Sequence, residues 1–243
     1  MQKINVSKCP LLFLIFVGGI LVSGCSSQPT PVTSSQHGQQ APLVEGMSES
    51  DILEIGRRHG PLAEARVRYW QRMINTSTAS TDQLKLQQAN VFINGARFVD
   101  DVEIWQTNDY WSTPLEFLIM DAGDCEDFSI AKYFTLEKMG IAMEKMRITY
   151  VKALNPNRAH MVLTYYSEPS SIPLVLDNLN PNILPATERM DLIPVYSFNG
   201  EDLWLAKTRS KQEKVGSAET LKLWKELNTR MKSGLPAIVV PIP

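Results

Sequence analysis

Apolar residues recur at helical spacing through the first half of the chain. In the segment 61–74 this pattern predicts a helix whose buried face consists of Leu62, Ala65, Tyr69, Trp70 and Met73. Gly60 separates that helix from a shorter helix upstream, and Pro61 suits a first helical position. A third helix is expected from Thr81 to Asn94-Gly95, because Asn-Gly is a fitting C-terminal stop.

Two further helices are predicted around residue 124. Thr113-Pro114-Leu115-Glu116 is a capping-box pattern, which opens a short helix that ends near Gly123. The next helix starts within AGDCEDFSIAKYF, residues 122–134, and ends at Gly140. Its inward-facing residues are expected to be Phe128, Ile130, Ala131 and Phe134.

After Gly140 the pattern changes to short apolar segments that are rich in β-branched residues. Strands are predicted at 146–154, 160–166 and 173–179, and Asn199-Gly200 between VYSF and EDLWL predicts a tight hairpin. A last helical stripe ends near Gly234 and consists of Leu221, Trp224, Leu227 and Met231. Helices followed by strands predict an α+β fold, in which a helical N-terminal half packs against an antiparallel sheet.

The N-terminus has the pattern of an export signal. Lys3 and Lys8 precede an apolar run at 11–22, which has the length of a signal-peptide core and is too short to span a bilayer. The sequence Val22-Ser23-Gly24-Cys25 resembles a bacterial lipobox, which implies cleavage before Cys25 and acylation of that cysteine. The alternative is an ordinary signal peptide with a cysteine near its cleavage site.

This interpretation divides the chain into three parts. Residues 1–24 are a lipoprotein signal peptide, residues 25–46 a flexible tether rich in Ser, Gln, Pro and Thr, and residues 47–243 the folded domain. A protein with two or three acyl chains would be stably anchored to a membrane. Because Ser26 follows the acylated cysteine, the usual sorting preference places the protein in the periplasm, anchored to the outer membrane.

Charge and cysteine content narrow the function. The chain has 24 basic and 26 acidic residues, and a net charge of −2 gives no reason to expect a nucleic-acid-binding protein. Cys9 would leave with the signal peptide and Cys25 would be acylated, so Cys125 would be the only free thiol of the mature protein. An oxidising periplasm favours disulfides, so a lone thiol there is expected to be buried or chemically used.

A nucleophilic cysteine needs a base, and often a third group that orients the base. Outside the tether the mature chain has His59, at a predicted helix end, and His160, which opens a predicted strand. Asp177 lies in the next predicted strand, and the midpoint between 160 and 177 falls in the turn-like segment 167–171. We therefore expect His160 and Asp177 side by side on one sheet face, with Cys125 packed against the strand edge. The alternative is a buried cysteine, a satisfied histidine and a turn aspartate.

Five segments together resemble the bacterial transglutaminase-like cysteine proteinases, the LapG group: WSTPLEFL, AGDCEDFSIAKYF, AHMVLTYY, PLVLDNLNPNI and VYSFNGEDLW. The resemblance covers roughly residues 50–232 and implies a papain/transglutaminase-like fold. It also implies that Cys125 is the nucleophile, His160 the base and Asp177 the residue that orients the base.

The resemblance further implies a calcium-dependent endopeptidase in which Asp124 and Glu126 are Ca²⁺ ligands. Carboxylates suit this hard cation, and bound Ca²⁺ would offset the negative charge that otherwise raises the pKa of the Cys125 thiol. The alternative role for these acids is structural, with Asp124 as helix N-cap and Asp127 as its N3 partner, and both roles can hold together.

Members of the group release large surface adhesins by cutting them near the N-terminus at a di-alanine-type site. An inner-membrane receptor that senses cyclic di-GMP inhibits them. The resemblance therefore implies an adhesin-type substrate, such a receptor as a partner, and a role in biofilm attachment. Two other functions stay open: a cell-wall amidase or acyl transferase with the same triad, and a non-catalytic calcium-dependent binding module.

For any of the hydrolytic functions, the Cys125 backbone N–H at a helix start is a natural oxyanion donor. The sequence does not choose the second donor among Trp105, Gln106 and Trp111.

Overall fold

A computed structural model of the chain describes residues 47–208 and 212–234. The predicted signal peptide at 1–24 and the predicted tether at 25–46, including Cys25, lie outside the described residues. None of the helices in the described ranges is long and apolar enough to cross a bilayer.

Seven helices are present in the described part of the chain. Their bounds are α1 Glu49–His59, α2 Pro61–Ser77, α3 Asp82–Ile93, α4 Asp101–Ile104, α5 Pro114–Met120, α6 Cys125–Lys138 and α7 Lys222–Lys232. The predicted capping box is formed: the Thr113 hydroxyl accepts the Glu116 N–H at 3.2 Å, and the Glu116 carboxylate accepts the Thr113 N–H at 2.7 Å. Local capping chemistry therefore starts α5 where the sequence predicts it.

The strands form two sheets. Their bounds are β1 Arg97–Phe98, β2 Ala122–Gly123, β3 Met146–Leu154, β4 Asn157–Tyr165, β5 Leu174–Leu176, β6 Leu184–Pro185, β7 Leu192–Phe198, β8 Asp202–Ala206 and β9 Gln212–Ser217. Strands β1 and β2 pair in parallel, and the other strands form one antiparallel sheet in the order β6-β5-β4-β3-β7-β8-β9. Helices segregated from an antiparallel sheet confirm the predicted α+β fold.

Helix α6 lies at the centre of this arrangement. It packs against β3 and β4 of the sheet and also against α2, α3 and α5. A helix with neighbours on several sides is expected to be apolar around most of its circumference. All four residues predicted to face inward from it are buried, namely Phe128, Ile130, Ala131 and Phe134. The first residue of this central helix is Cys125.

The predicted face of α2 is wrong in part. Trp70 and Met73 are buried as expected, but Leu62 is 73% exposed and Tyr69 is 54% exposed. The helix instead buries a second stripe at helical spacing, which consists of Ala63, Val67, Trp70 and Ile74. Both stripes satisfy the helical period, and the packing partners decide between them.

Two predicted strands are also placed differently. Strand β4 begins at Asn157, so His160 lies inside the strand and does not open it. Strand β5 ends at Leu176, so Asp177 follows the strand and does not lie within it. Pairing of Leu163 with Leu176 would set Asp177 opposite Val162, two residues from His160. Since side chains alternate with a period of two, this shift leaves His160 and Asp177 on the same face.

Candidate active site

The short β1–β2 pair brings two helix starts together. Phe98 pairs with Gly123 in parallel, so α4 and α6 begin at the same end of this pair. A Cβ atom on Gly123 would lie 2.5 Å from an Asp127 carboxylate oxygen, so the close approach requires glycine. As a result Asp101, the first residue of α4, comes next to Asp124 and the start of α6.

Cys125 is the free cysteine of the described chain and is partly exposed at the first position of α6. Its thiol donates to Glu126 Oε2 at 3.0 Å and accepts a hydrogen bond from the Met161 backbone N–H. Strand β5 pairs with β4 only at residues 163–165, which leaves this edge of β4 open to the start of α6. The thiol therefore contacts the residue that directly follows His160.

The electrostatics of this site disfavour the thiolate in the absence of a cation. Burial raises the pKa of the Cys125 thiol most, and the charges of Glu126 and Asp124 raise it further. The Met161 N–H opposes this shift without cancelling it. A cation near the thiol would act against these effects and favour its ionisation.

His160 and Asp177 form a buried pair. His160 Nε2 lies 2.8 Å from Asp177 Oδ1, and both side chains are fully buried. The other ring nitrogen of His160, Nδ1, is buried without a hydrogen-bond partner. When the imidazole carries its proton on Nε2 and donates it to Asp177, Nδ1 is free to accept a proton. His160 belongs to β4, the strand that the Cys125 thiol contacts.

Further hydrogen bonds keep Asp177 ionised. Burial alone would raise the pKa of this carboxyl, but the hydrogen bond and charge of His160, the Leu179 N–H and Arg189 together lower it to about 2. Arg189 Nη2 lies 2.7 Å from Asp177 Oδ2. Arg189 was not predicted as a site residue, because no local pattern in the sequence connects it with residue 177.

A cluster of acids lies beside the thiol. Ligand-type oxygens of Asp101, Asp109 and Glu126 lie within 4.8 Å of one another, and so do those of Asp101, Asp124 and Asp127. One oxygen of Asp101 and one of Asp124 are buried without a hydrogen-bond partner. Uncompensated carboxylate oxygens at this spacing suit a hard cation such as Ca²⁺.

The pKa shifts in the cluster have a common cause. Burial, followed by the charges of Glu126, Asp109 and Asp100, raises the pKa of Asp101 to about 6 against a hydrogen bond from the Tyr110 N–H. Burial and the charges of Glu126 and Asp127 also raise the pKa of Asp124. Such repulsion between acids is what a bound cation would relieve.

The two acids predicted as metal ligands lie among further acids. Asp124 and Glu126 are near Asp101 of α4 and Asp109 of the loop that follows it. Asp127 also fills the predicted capping role, since its carboxylate accepts the Asp124 N–H at 3.3 Å. Asp101 and Asp109 could be found from the sequence only if the parallel β1–β2 pairing were known.

The three upstream oxyanion candidates differ in their surroundings. The Trp105 indole Nε1 is buried without a partner, whereas the Trp111 side chain is hydrogen-bonded to Asp109 and Gln106 is exposed. Trp105 follows α4 directly and stacks on Tyr110 with ring centroids 4.5 Å apart.

Comparison with known proteins identifies one family for this chain. Residues 64–212 match the family described as bacterial transglutaminase-like cysteine proteinase, BTLCP. The chain belongs to the bacterial transglutaminase-like cysteine proteinases. Comparison with curated protein sequences gave no match.

Solved structures of the transglutaminase-like proteinases resemble this chain over most of its length. An EGTA-treated form of Legionella pneumophila LapG is 40% identical with a TM-score of 0.67, and covers 76% of this chain and 98% of its own. A calcium-bound form of the same protein is 39% identical with a TM-score of 0.66, and covers 76% of this chain and 99% of its own.

Proposed function

We propose that this member of the transglutaminase-like cysteine proteinases is a calcium-dependent endopeptidase that uses Cys125, His160 and Asp177. The observation that carries the proposal is the His160–Asp177 pair, whose free Nδ1 belongs to the strand that the Cys125 thiol contacts. Such an arrangement has the parts that nucleophilic catalysis by cysteine requires.

In the proposed reaction His160 Nδ1 accepts the Cys125 proton, and the resulting thiolate attacks the carbonyl carbon of a peptide bond. The backbone N–H of Cys125 and the Trp105 indole N–H donate to the oxyanion. The imidazolium then donates its proton to the leaving amine as the acyl-enzyme forms. His160 next takes a proton from water, and the hydroxide equivalent cleaves the thioester to release the acid and restore the thiol. Asp177 holds the ring orientation throughout.

We assign calcium to the acids around the thiol. Asp101, Asp109, Asp124 and Glu126 would hold the ion, since their oxygens converge and two of them are buried without partners. When bound, the ion would supply positive charge beside the nucleophile. The solved structure of calcium-bound Legionella pneumophila LapG, which is similar to this chain, supports the assignment.

The substrate, partner and location are proposals of the same kind. We propose a lipid-anchored periplasmic enzyme, attached through Cys25, that cuts a large surface adhesin near its N-terminus to control biofilm attachment. An inner-membrane cyclic di-GMP receptor would inhibit it. These proposals are supported by the lipobox-like sequence at 22–25 and by family membership.

The test is cleavage of candidate adhesin N-terminal domains by the purified protein in Ca²⁺, with sequencing of the fragments. Cys125→Ser and His160→Ala should each lower the cleavage rate by about 10³-fold or more, because triad members act as a unit. His59→Ala is the matched control, since His59 lies at the end of α1 and should leave the rate unchanged.

Product chemistry separates the rival functions. New peptide termini support the endopeptidase, whereas isopeptide bonds or trimmed cell-wall peptides would favour an acyl transferase or amidase. Retained proteolysis in folded Cys125→Ser protein would contradict the mechanism. An unreactive Cys125 thiol in the calcium-loaded wild type would favour a binding module.

A further inference from the structure

Arg189 is a buried cation attached to the far side of the His160–Asp177 pair. Only 3% of its surface is exposed. It lies between β6 and β7, in a segment that no local motif connects with the active site. Its guanidinium donates from Nη2 to Asp177 Oδ2 at 2.7 Å, and from Nε and Nη2 to Asp191 at 2.9 and 2.7 Å.

The contacts of Asp177 are divided between its two oxygens. Oδ1 is hydrogen-bonded to His160 Nε2 at 2.8 Å and accepts the Leu179 N–H at 3.0 Å, while Oδ2 accepts a hydrogen bond from Arg189. A carboxylate held at both oxygens cannot rotate about its Cβ–Cγ bond without breaking a charge-assisted hydrogen bond. The orientation of the group that faces His160 therefore depends on Arg189.

Asp191 binds the Arg189 guanidinium from the solvent-exposed side. Its side chain is 46% exposed, and it accepts two hydrogen bonds from the Arg189 fork. A planar fork that bridges two carboxylates fixes both position and angle, which a lysine ammonium would not do. Hydrogen bonds thus connect four side chains in series from the surface inward: Asp191, Arg189, Asp177 and His160.

We infer that Arg189 is a positioning residue for catalysis: it fixes the Asp177 carboxylate so that His160 keeps its proton on Nε2 and presents Nδ1 to Cys125. This inference rests on the proposed protease function, because it concerns the same base. Arg189 does not touch the thiol or the substrate in this scheme. Its effect is on the population of the productive histidine tautomer and ring orientation.

Stability alone is a weaker explanation of this residue. Buried ion pairs are often no more stabilising than apolar side chains of similar volume, so the presence of this pair does not by itself argue for a role in stability. A positioning role predicts changes that a purely structural role would not produce, namely in kcat at constant KM and in the tautomer of one histidine.

The experiment compares Arg189→Met, Arg189→Lys and Asp191→Asn in the full-length calcium-loaded protein. Arg189→Met should lower kcat by about 10- to 100-fold and leave KM within about twofold, which is the usual range for residues that orient a functional side chain. Arg189→Lys should recover part of the loss, and Asp191→Asn should show a smaller loss. Arg147→Met is the control, because Arg147 is a partly buried arginine of β3 that stacks on Trp204 and Tyr166.

A second readout needs no substrate. With ¹⁵N-labelled histidine, NMR should show His160 of the wild type protonated at Nε2, and Arg189→Met should shift it towards a mixture of tautomers. Arg147→Met should leave the His160 signals unchanged. If wild-type protein cleaves none of the adhesin domains, the proposed function fails while this readout still decides the role of Arg189.

Unchanged kcat and an unchanged tautomer in folded Arg189→Met protein would overturn the inference. If that variant does not fold, Arg189→Lys decides, since it keeps the charge. A fall in kcat of about fivefold or more at constant KM supports the positioning role, and a wild-type kcat overturns it.

Discussion

At the scale of single residues, the protein buries an additional basic side chain near Asp177. Lys132 lies on α6 two turns after Cys125 and is 1% exposed. Burial lowers the pKa of Lys132 to about 7, although the charge of Asp177 acts in the opposite direction. The ammonium form is therefore disfavoured in the folded protein but not in the unfolded chain.

This shift predicts a pH dependence of stability. Between pH 7 and the ordinary lysine pKa of about 10.5 the unfolded chain binds more protons, so the free energy of unfolding should rise with pH in that window. Lys132→Met removes the cost of burying the charge, and it should be more stable than the wild type by about 1–4 kcal/mol at pH 6. The difference should shrink by about half at pH 9. Urea unfolding at both values measures it.

Lys138→Met is the matched control, because Lys138 lies partly exposed at the end of the same helix. It should show no gain at pH 6. A Lys132→Met difference that is equal at pH 6 and pH 9 would show that Lys132 does not titrate in this range.

The residue scale also shows what could be predicted from the sequence. The sequence predicts that His160 and Asp177 meet, although their register is shifted by two residues from the expected one. The contact survives because a shift of two keeps both side chains on one face and Asp177 lies just beyond the end of β5. Arg189 and Lys132 were not predicted, since their partners are set by tertiary packing and not by spacing along the chain.

At the scale of elements, the proposed calcium site joins the starts of α4 and α6, since Asp101 belongs to α4 and Glu126 to α6. Burial and, after it, the charges of neighbouring acids raise the pKa of Asp101 and Asp124. Bound Ca²⁺ should therefore raise the melting temperature, because a ligand that binds only the folded state stabilises it. Mg²⁺ should substitute poorly, since it prefers a tighter octahedral shell.

Asp101→Asn tests whether Asp101 is a calcium ligand or an acid with a purely structural role. An asparagine oxygen can still accept the Tyr110 N–H, but the ion loses one negative ligand. Calcium affinity should fall by about tenfold or more, whereas the calcium-free protein should become more stable because one repelling charge is gone. Calorimetric titration and thermal melts of metal-stripped protein test both effects.

Asp100→Asn is the control, because Asp100 is an exposed neighbouring acid, and it should keep the calcium affinity of the wild type. If Asp101→Asn binds calcium as tightly as the wild type, Asp101 is not part of the site.

Element boundaries were predictable where burial and capping agree. Strand β3 has the predicted bounds 146–154, and α7 buries Trp224 and Leu227 of the predicted stripe. Strand β9 was not predicted, because its sequence QEKVGS is polar and five of its six residues are exposed. An edge strand of that kind has no buried face to produce an alternating pattern.

At the scale of the whole molecule, the proposed anchor decides where the enzyme can act. A random-coil chain with as many residues as the proposed tether at 25–46 would have an end-to-end distance of about 25 Å and could extend to roughly 70 Å. A protein anchored to the outer membrane would therefore work close to that surface. Contact with an inner-membrane receptor would require the receptor to extend across much of the periplasm.

The anchor is tested by replacing one cysteine at a time in the full-length chain. Wild-type protein and Cys9→Ala should both partition with membranes, because Cys9 lies before the apolar run and would leave with the proposed signal peptide. Cys25→Ala should block lipidation and the processing linked to it, because the acylated thiol is missing. Mass spectrometry of the mature N-terminal peptide identifies the acyl chains directly, and two or three are needed for stable attachment. Soluble wild-type protein with an unmodified N-terminus would reject the anchor while leaving the chemistry of Cys125 untouched, since the two proposals depend on different cysteines.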